Sequence, residues 1–116
     1  MDATTAYTSS TWGTAAERWE RAGRFFAAKD YLTAAGLLDG LVREFPEQDA
    51  ARLLLARSYY HSARLGRAEA ELRALLDRDP ADAYAHLLLG RTLERQGRAA
   101  EAGPYLRIAE LWGVTA

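Results

Sequence analysis

From Thr14 onward, apolar positions recur with a helical beat. Trp19, Ala22, Phe25 and Phe26 follow i, i+3, i+6, i+7 spacing, which places them on one helix face. Thr14-Ala-Ala-Glu17 just ahead has the form of a capping box, in which the threonine oxygen and the glutamate satisfy orphan amides reciprocally. Lys29-Asp30 predicts a turn, with Asp30 as N-cap of a second helix carrying Tyr31, Ala34, Leu38, Leu41 and Val42 and stopping near Phe45-Pro46. A second such pair spans Gln48 to Asp79. Its first helix holds Leu53, Leu54, Leu55, Ala56 and Tyr59 and is expected to reach about Arg64, with Gly66 as the left-handed stop. Its second helix is expected from Ala68 to Arg78, with Leu72, Leu75 and Leu76 inward. Asp79-Pro80 predicts a stop followed by a start, with the proline in a first turn where its missing amide is harmless. The third pair holds Tyr84, Leu87, Leu88, Gly90 and Leu93, a turn at Gly97, then Ala102, Leu106 and Ala109. Pro104 there predicts a kink or a start delayed to Gly103.

The three pairs are copies of one pattern at a spacing of 34 residues. Ala34, Ala68 and Ala102 form one row; Leu38, Leu72 and Leu106 form another; Ala22, Ala56 and Gly90 a third; Phe25, Tyr59 and Leu93 a fourth. Pro46 and Pro80 mark the joints, and Val114 stands where a third proline would. A fixed period of this length signals stacked supersecondary units. The chain is therefore expected to be all-α, six helices in three units at 14–46, 47–80 and 81–114, behind a flexible segment at 1–13. A stack of like units presents a surface and rarely builds a catalytic pocket.

Composition narrows the function. At 49% apolar, 27% charged and a formal charge of −1, the chain lacks the basic excess expected of a nucleic-acid domain. The absence of cysteine removes disulfides, thiolate metal sites and thiol nucleophiles together. Residues 1–13 lack the basic and apolar runs of a secretory signal, and no stretch reaches the roughly 18–20 apolar residues that cross a bilayer. A cytoplasmic location without membrane contact is expected. Tyr7 and Trp12 qualify the N-terminal segment, because large aromatics outside a fold tend to dock somewhere.

Small residues at Ala22/Ala56/Gly90 and Ala34/Ala68/Ala102, bulky ones at Phe25/Tyr59/Leu93, and a proline closing two units resemble the tetratricopeptide repeat. The resemblance covers Thr14 to Ala116 as three tandem repeats and implies a right-handed α-α superhelix. Arg21 departs from it, standing where Leu55 and Leu89 stand in the other units, as expected of a solvent-facing terminal repeat. Many members add a polar capping helix after the last repeat; here only Leu111-Trp112-Gly113-Val114-Thr115-Ala116 follows. The resemblance therefore leaves an apolar end at Leu111, Trp112 and Val114 open to self-association.

In the family, the first helix of each repeat lines a concave groove that takes extended peptides or helices. That frame puts Trp19, Gly23, Phe26 and Ala27 in the groove from the first repeat, and Leu53, Arg57, Tyr60 and His61 from the second. Tyr84, Leu87, Arg91, Glu94 and Arg95 come from the third. Arg57 and Arg91 occupy equivalent places, with Arg95 one turn beyond Arg91. Such a surface suits a partner protein or peptide offering apolar side chains beside carboxylates. Repeats that clamp acidic chaperone tails use lysine, asparagine and arginine at places held here by Trp19, Gly23, Leu54, Tyr84 and Leu88, so that role is not implied.

Other chemistry finds little support. His61 and His86 fall near opposite ends of neighbouring helices, too far apart at about 1.5 Å rise per residue to share a metal. Glu69, Glu71 and Glu94 lack the shielded setting that tunes a carboxyl for acid–base work. No nucleophile elbow or phosphate loop is visible. Gly36 and Gly40 within one helix disfavour it by about 1 kcal/mol each against alanine, and their spacing leaves open a close helix approach or simple drift. The expected function is a non-enzymatic interaction scaffold without cofactor or metal; the alternative is a homodimeric structural protein.

Overall fold

The computed structural model describes residues 13–114, so Tyr7, Trp12 and nearly all of the expected N-terminal segment lie outside the described residues. The chain forms α1 (Ala15–Ala27), α2 (Tyr31–Glu44), α3 (Asp49–His61), α4 (Leu65–Arg78), α5 (Ala83–Arg95) and α6 (Ala99–Leu111). They stack as three hairpins into a rod of 56 × 26 × 21 Å.

Side chains cap α1, α2 and α5 at their starts. Glu17 N–H donates to Thr14 Oγ1 (3.2 Å) and Thr14 N–H to Glu17 Oε1 (2.8 Å), closing the expected box. Asp30 caps α2 through Thr33 N–H (3.3 Å) and Asp82 caps α5 through Ala85 N–H (3.0 Å). Pro80 is therefore not in a first turn; it lies in the link ahead of that cap.

The first helix of each pair ends in the same way. Lys29, Ala63 and Gly97, one period apart, take φ of 64°, 60° and 77°. Their amides donate to Phe26, Tyr60 and Glu94 carbonyls, and the next amides to Phe25, Tyr59 and Leu93, which is the Schellman pattern. The stop expected at Gly66 is thus at Ala63: α3 ends at His61, and Gly66 is already inside α4, which begins at Leu65. The last helix starts at Ala99 rather than Gly103 and runs through Pro104.

The rows of small and large residues form the core. Ala22, Ala34, Ala56, Ala68 and Ala102 are fully buried, with Leu38, Leu55, Leu72, Leu89 and Leu93. Small residues let the helices of a pair approach while leucines fill the grooves between them. Gly90 shows the tightest case, since a methyl there would come within 2.5 Å of the Leu106 side chain. Among the described residues no other helix packs on Gly36 and Gly40: nothing of them lies within 4 Å of a Cβ at Gly36, and only Arg18 Nη1 (3.7 Å) near one at Gly40. With Thr33 and Leu37 they floor a surface hollow beside the Arg18–Glu44 ion pair.

Candidate functional site

The face built by α1, α3 and α5 carries the residues singled out by the sequence, but it is divided along its width. One rim, at the C-terminal ends of these helices, gathers aromatic rings and cations. Phe26 meets Tyr31 edge-on at 5.2 Å and His61 at 5.8 Å, while Tyr31 stacks on His61 at 4.8 Å and Tyr60 meets it at 5.5 Å. Arg57 lies over the Phe26 ring with Cζ 4.7 Å from its centre, and Arg95 reaches back from α5 to lie 4.6 Å over Tyr60. Cations over ring faces are held by the ring quadrupole without a counter-ion. Arg95 Nη1 also donates to the Tyr60 carbonyl (2.9 Å). Neither Arg57 nor Arg95 has a carboxylate partner among the described residues. Burial, then Arg57, then Arg95 disfavour a positive charge on His61, whose pKa is lowered.

Arg91 does not join this cluster. It donates to Glu94 Oε1 (2.9 Å) one turn along its own helix, whereas Arg57 and Arg95 both act on the charge of His61. Gly23 faces open space, and Leu53 is half-buried. Leu87 is largely buried.

The opposite rim is apolar. Trp19, Ala16, Leu41, Phe45, Ala50 and Ala51 help line a hollow of ≈420 Å³ where the start of α3 passes the end of α2. Trp19, Phe45, Tyr84 and Trp112 stay substantially exposed, all near the starts of α1 and α5 or the ends of α2 and α6. Trp19 precedes Phe26 by seven residues, about 10 Å along the axis, so Trp19 and Tyr60 belong to opposite rims of one face.

His86 is neither a surface nor a groove histidine. It is buried, and its Nε2 sits 2.8 Å from the Pro80 carbonyl, which fixes the proton on that nitrogen because a carbonyl only accepts. Trp112 packs edge-on against its ring at 5.5 Å and Tyr105 lies at 5.8 Å. Position 86 is one period from Arg52 and two from Arg18, and position 112 likewise matches Arg78 and Glu44. The contact that is an Arg18–Glu44 ion pair in the first unit is thus an aromatic contact in the third. Leu111 is 82% exposed, Trp112 51%, and Val114 half-buried. Among the described residues no group of three potential metal ligands occurs. Glu69 and Glu71 are committed to ion pairs: Glu69 with Arg73 (3.0 Å) and Arg98 (2.7 Å), Glu71 with Arg52 (2.8 Å).

The sequence places Arg57, His61, Arg91 and Arg95 on one face alike, and does not show that Glu94 takes Arg91 while Arg57 and Arg95 lie over rings. The usable signal is the short range of Glu94, which takes Arg91 for itself.

These features define a helical-repeat protein in which α1, α3 and α5 form one face. The tetratricopeptide repeat profile matches residues 25–92, more than half of the chain, and the chain belongs to that family. No curated protein matches it. Among solved structures, one point mutant of MamA superposes with a TM-score of 0.83 at 19% identity, covering 94% of this chain and 60% of that one. MamA from Desulfovibrio magneticus RS-1 gives 0.75 at 22% identity over 82% of this chain and 54% of the other. A CopN-Scc3 complex gives 0.77 at 18%, covering 82% and 56%. The chain thus spans between 54% and 60% of the length of these three. At these identities the likeness establishes the α-α superhelical fold alone. Among the described residues no helix is long and apolar enough to cross a membrane.

Proposed function

We propose that the protein is a non-catalytic scaffold that holds a segment of another protein along the face of α1, α3 and α5, in the cytoplasm and without a cofactor. The observation carrying this reading is the pair of guanidiniums on Arg57 and Arg95, held over Phe26 and Tyr60 with no carboxylate partner among the described residues. Fixed cations with open donors on an aromatic surface are poised for charge-assisted bonds to an incoming chain. The CopN-Scc3 neighbour, a complex by its name, is consistent with a fold used to hold protein partners.

Affinity capture from lysate with wild type and an Arg57→Glu/Arg95→Glu variant tests the reading. Specific partners retained by wild type should be lost from the variant, while helicity by circular dichroism stays unchanged. Equal recovery of the same proteins by both excludes the arginine rim as the binding surface.

Self-association is favoured as a second reading by the exposure of Leu111 and Trp112. A dimer built on that end should fall to monomer mass in Trp112→Glu when followed by light scattering. An unchanged mass excludes that contact.

A further inference from the structure

We propose that Arg57, His61 and Arg95 form a seat for two acidic side chains of the partner segment, and that filling the seat draws a proton onto His61. The inference rests on the groove reading above and adds the partner's chemistry and a pH dependence to it.

The seat is assembled from separate elements. Phe26 comes from α1, Tyr31 from α2, Arg57, Tyr60 and His61 from α3, and Arg95 from α5. Among the described residues the rings that meet His61 are those of Phe26, Tyr31 and Tyr60 and the charges acting on it are Arg57 and Arg95, with no carboxylate in the set. Stacking on rings fixes each guanidinium before any anion arrives, so the ordering entropy of a long side chain is already spent. Arginine presents five N–H donors in a fork that matches a carboxylate. Arg57 donates none of its own among the described residues and Arg95 donates only to the Tyr60 carbonyl. Two open forks take two carboxylates, which points to aspartate or glutamate side chains rather than to a single chain terminus.

His61 responds to the same event. In the empty seat, burial opposes its protonation first, followed by Arg57 and Arg95. Carboxylates bound to the two arginines cancel their repulsion and add attraction. The bound state then holds more protons than the free state, so affinity must rise as pH falls between the two midpoints of His61. A purely apolar ligand would show no such dependence.

The test uses the whole chain and a hexaglutamate peptide, acetylated and amidated so that it carries side-chain carboxylates only. NMR follows the His61 ring from pH 8 to 5.5, above the range where glutamate itself titrates. Saturating peptide should raise the His61 midpoint. Affinity should increase by up to about tenfold per pH unit within the window, the limit for one proton. Arg57→Gln/Arg95→Gln should abolish binding, and His61→Gln should keep it but flatten its pH dependence. An unmoved His61 midpoint, equal binding by the double variant, or an equal response to inorganic phosphate each overturns the proposal. A chain that captures a partner through the arginine rim yet ignores hexaglutamate sinks this inference while leaving the groove reading intact.

Discussion

Residues 29, 63 and 97 all adopt the left-handed conformation, but only the third is glycine. For an L-residue that conformation is disfavoured by about 1–2 kcal/mol, offset in glycine by the extra freedom of its unfolded chain. Ala63→Gly should therefore stabilise the fold by up to about 1 kcal/mol, and thermal denaturation should show Tm rising by a few degrees. A lower Tm would contradict the assigned strain. Glu69 supplies a second residue-scale prediction. Burial opposes its ionisation, but hydrogen bonds from Arg98, Arg73 and Gln96 outweigh that and hold its carboxyl below the usual range. A depressed folded-state pKa gives stability that is present above the unfolded value and lost as pH falls through the folded one. Stability should decline below about pH 4.5, less steeply in Glu69→Gln, as urea unfolding at several pH values would show; equal slopes would count against it. Much at this scale is legible in the sequence: Ala34, Ala68 and Ala102 reveal themselves as buried contacts by their spacing alone. His86 does not, because its burial depends on Trp112 folding back onto it, a contact with no counterpart of its kind in the other two units.

The helices themselves follow the 3.6-residue beat closely, and the capping box at Thr14 and the cap at Asp30 are readable from side-chain chemistry. The end of α3 and the start of α4 are not, since a glycine is the usual marker of a left-handed stop and here an alanine takes the place. Projecting Gly97 back by one period points to Ala63. Pro104 is the other exception among the elements. Located inside α6, it deprives the Ala100 carbonyl of its donor and crowds it, a situation unfavourable by about 3 kcal/mol in a helix interior. Pro104 is exposed, so water can reach the freed carbonyl and soften the penalty. Pro104→Ala should stabilise the protein by about 1–3 kcal/mol in urea unfolding. A destabilised variant would mean that the proline geometry is needed for α6 to pack on α5.

Across the whole molecule, four rows show how one pair meets the next. Ala51, Leu54, Leu55 and Ser58 of α3 and their counterparts Ala85, Leu88, Leu89 and Thr92 of α5 face the preceding pair, all buried except the half-buried Leu54. The matching residues of α1 are Glu17, Glu20, Arg21 and Arg24, all charged. Ion pairs then lace one element to the next: Glu69 of α4 bonds Arg98 ahead of α6, and Arg78 of α4 bonds Asp49 of α3. The resulting rod offers one face with a cationic rim at Arg57 and Arg95 and an apolar rim at Trp19 and Phe45. The sequence discloses this face as a set of columns. Its division into two rims depends on which arginine finds a carboxylate, and that emerges only when the side chains are packed. Site-specific photocrosslinking tests most directly that this face receives a partner. A photoreactive phenylalanine analogue placed at Gly23, where the groove is open, should give discrete adducts with another protein in cells, and the same group at exposed Arg43 on α2 should give none. Adducts from position 43 with none from position 23 would contradict the account.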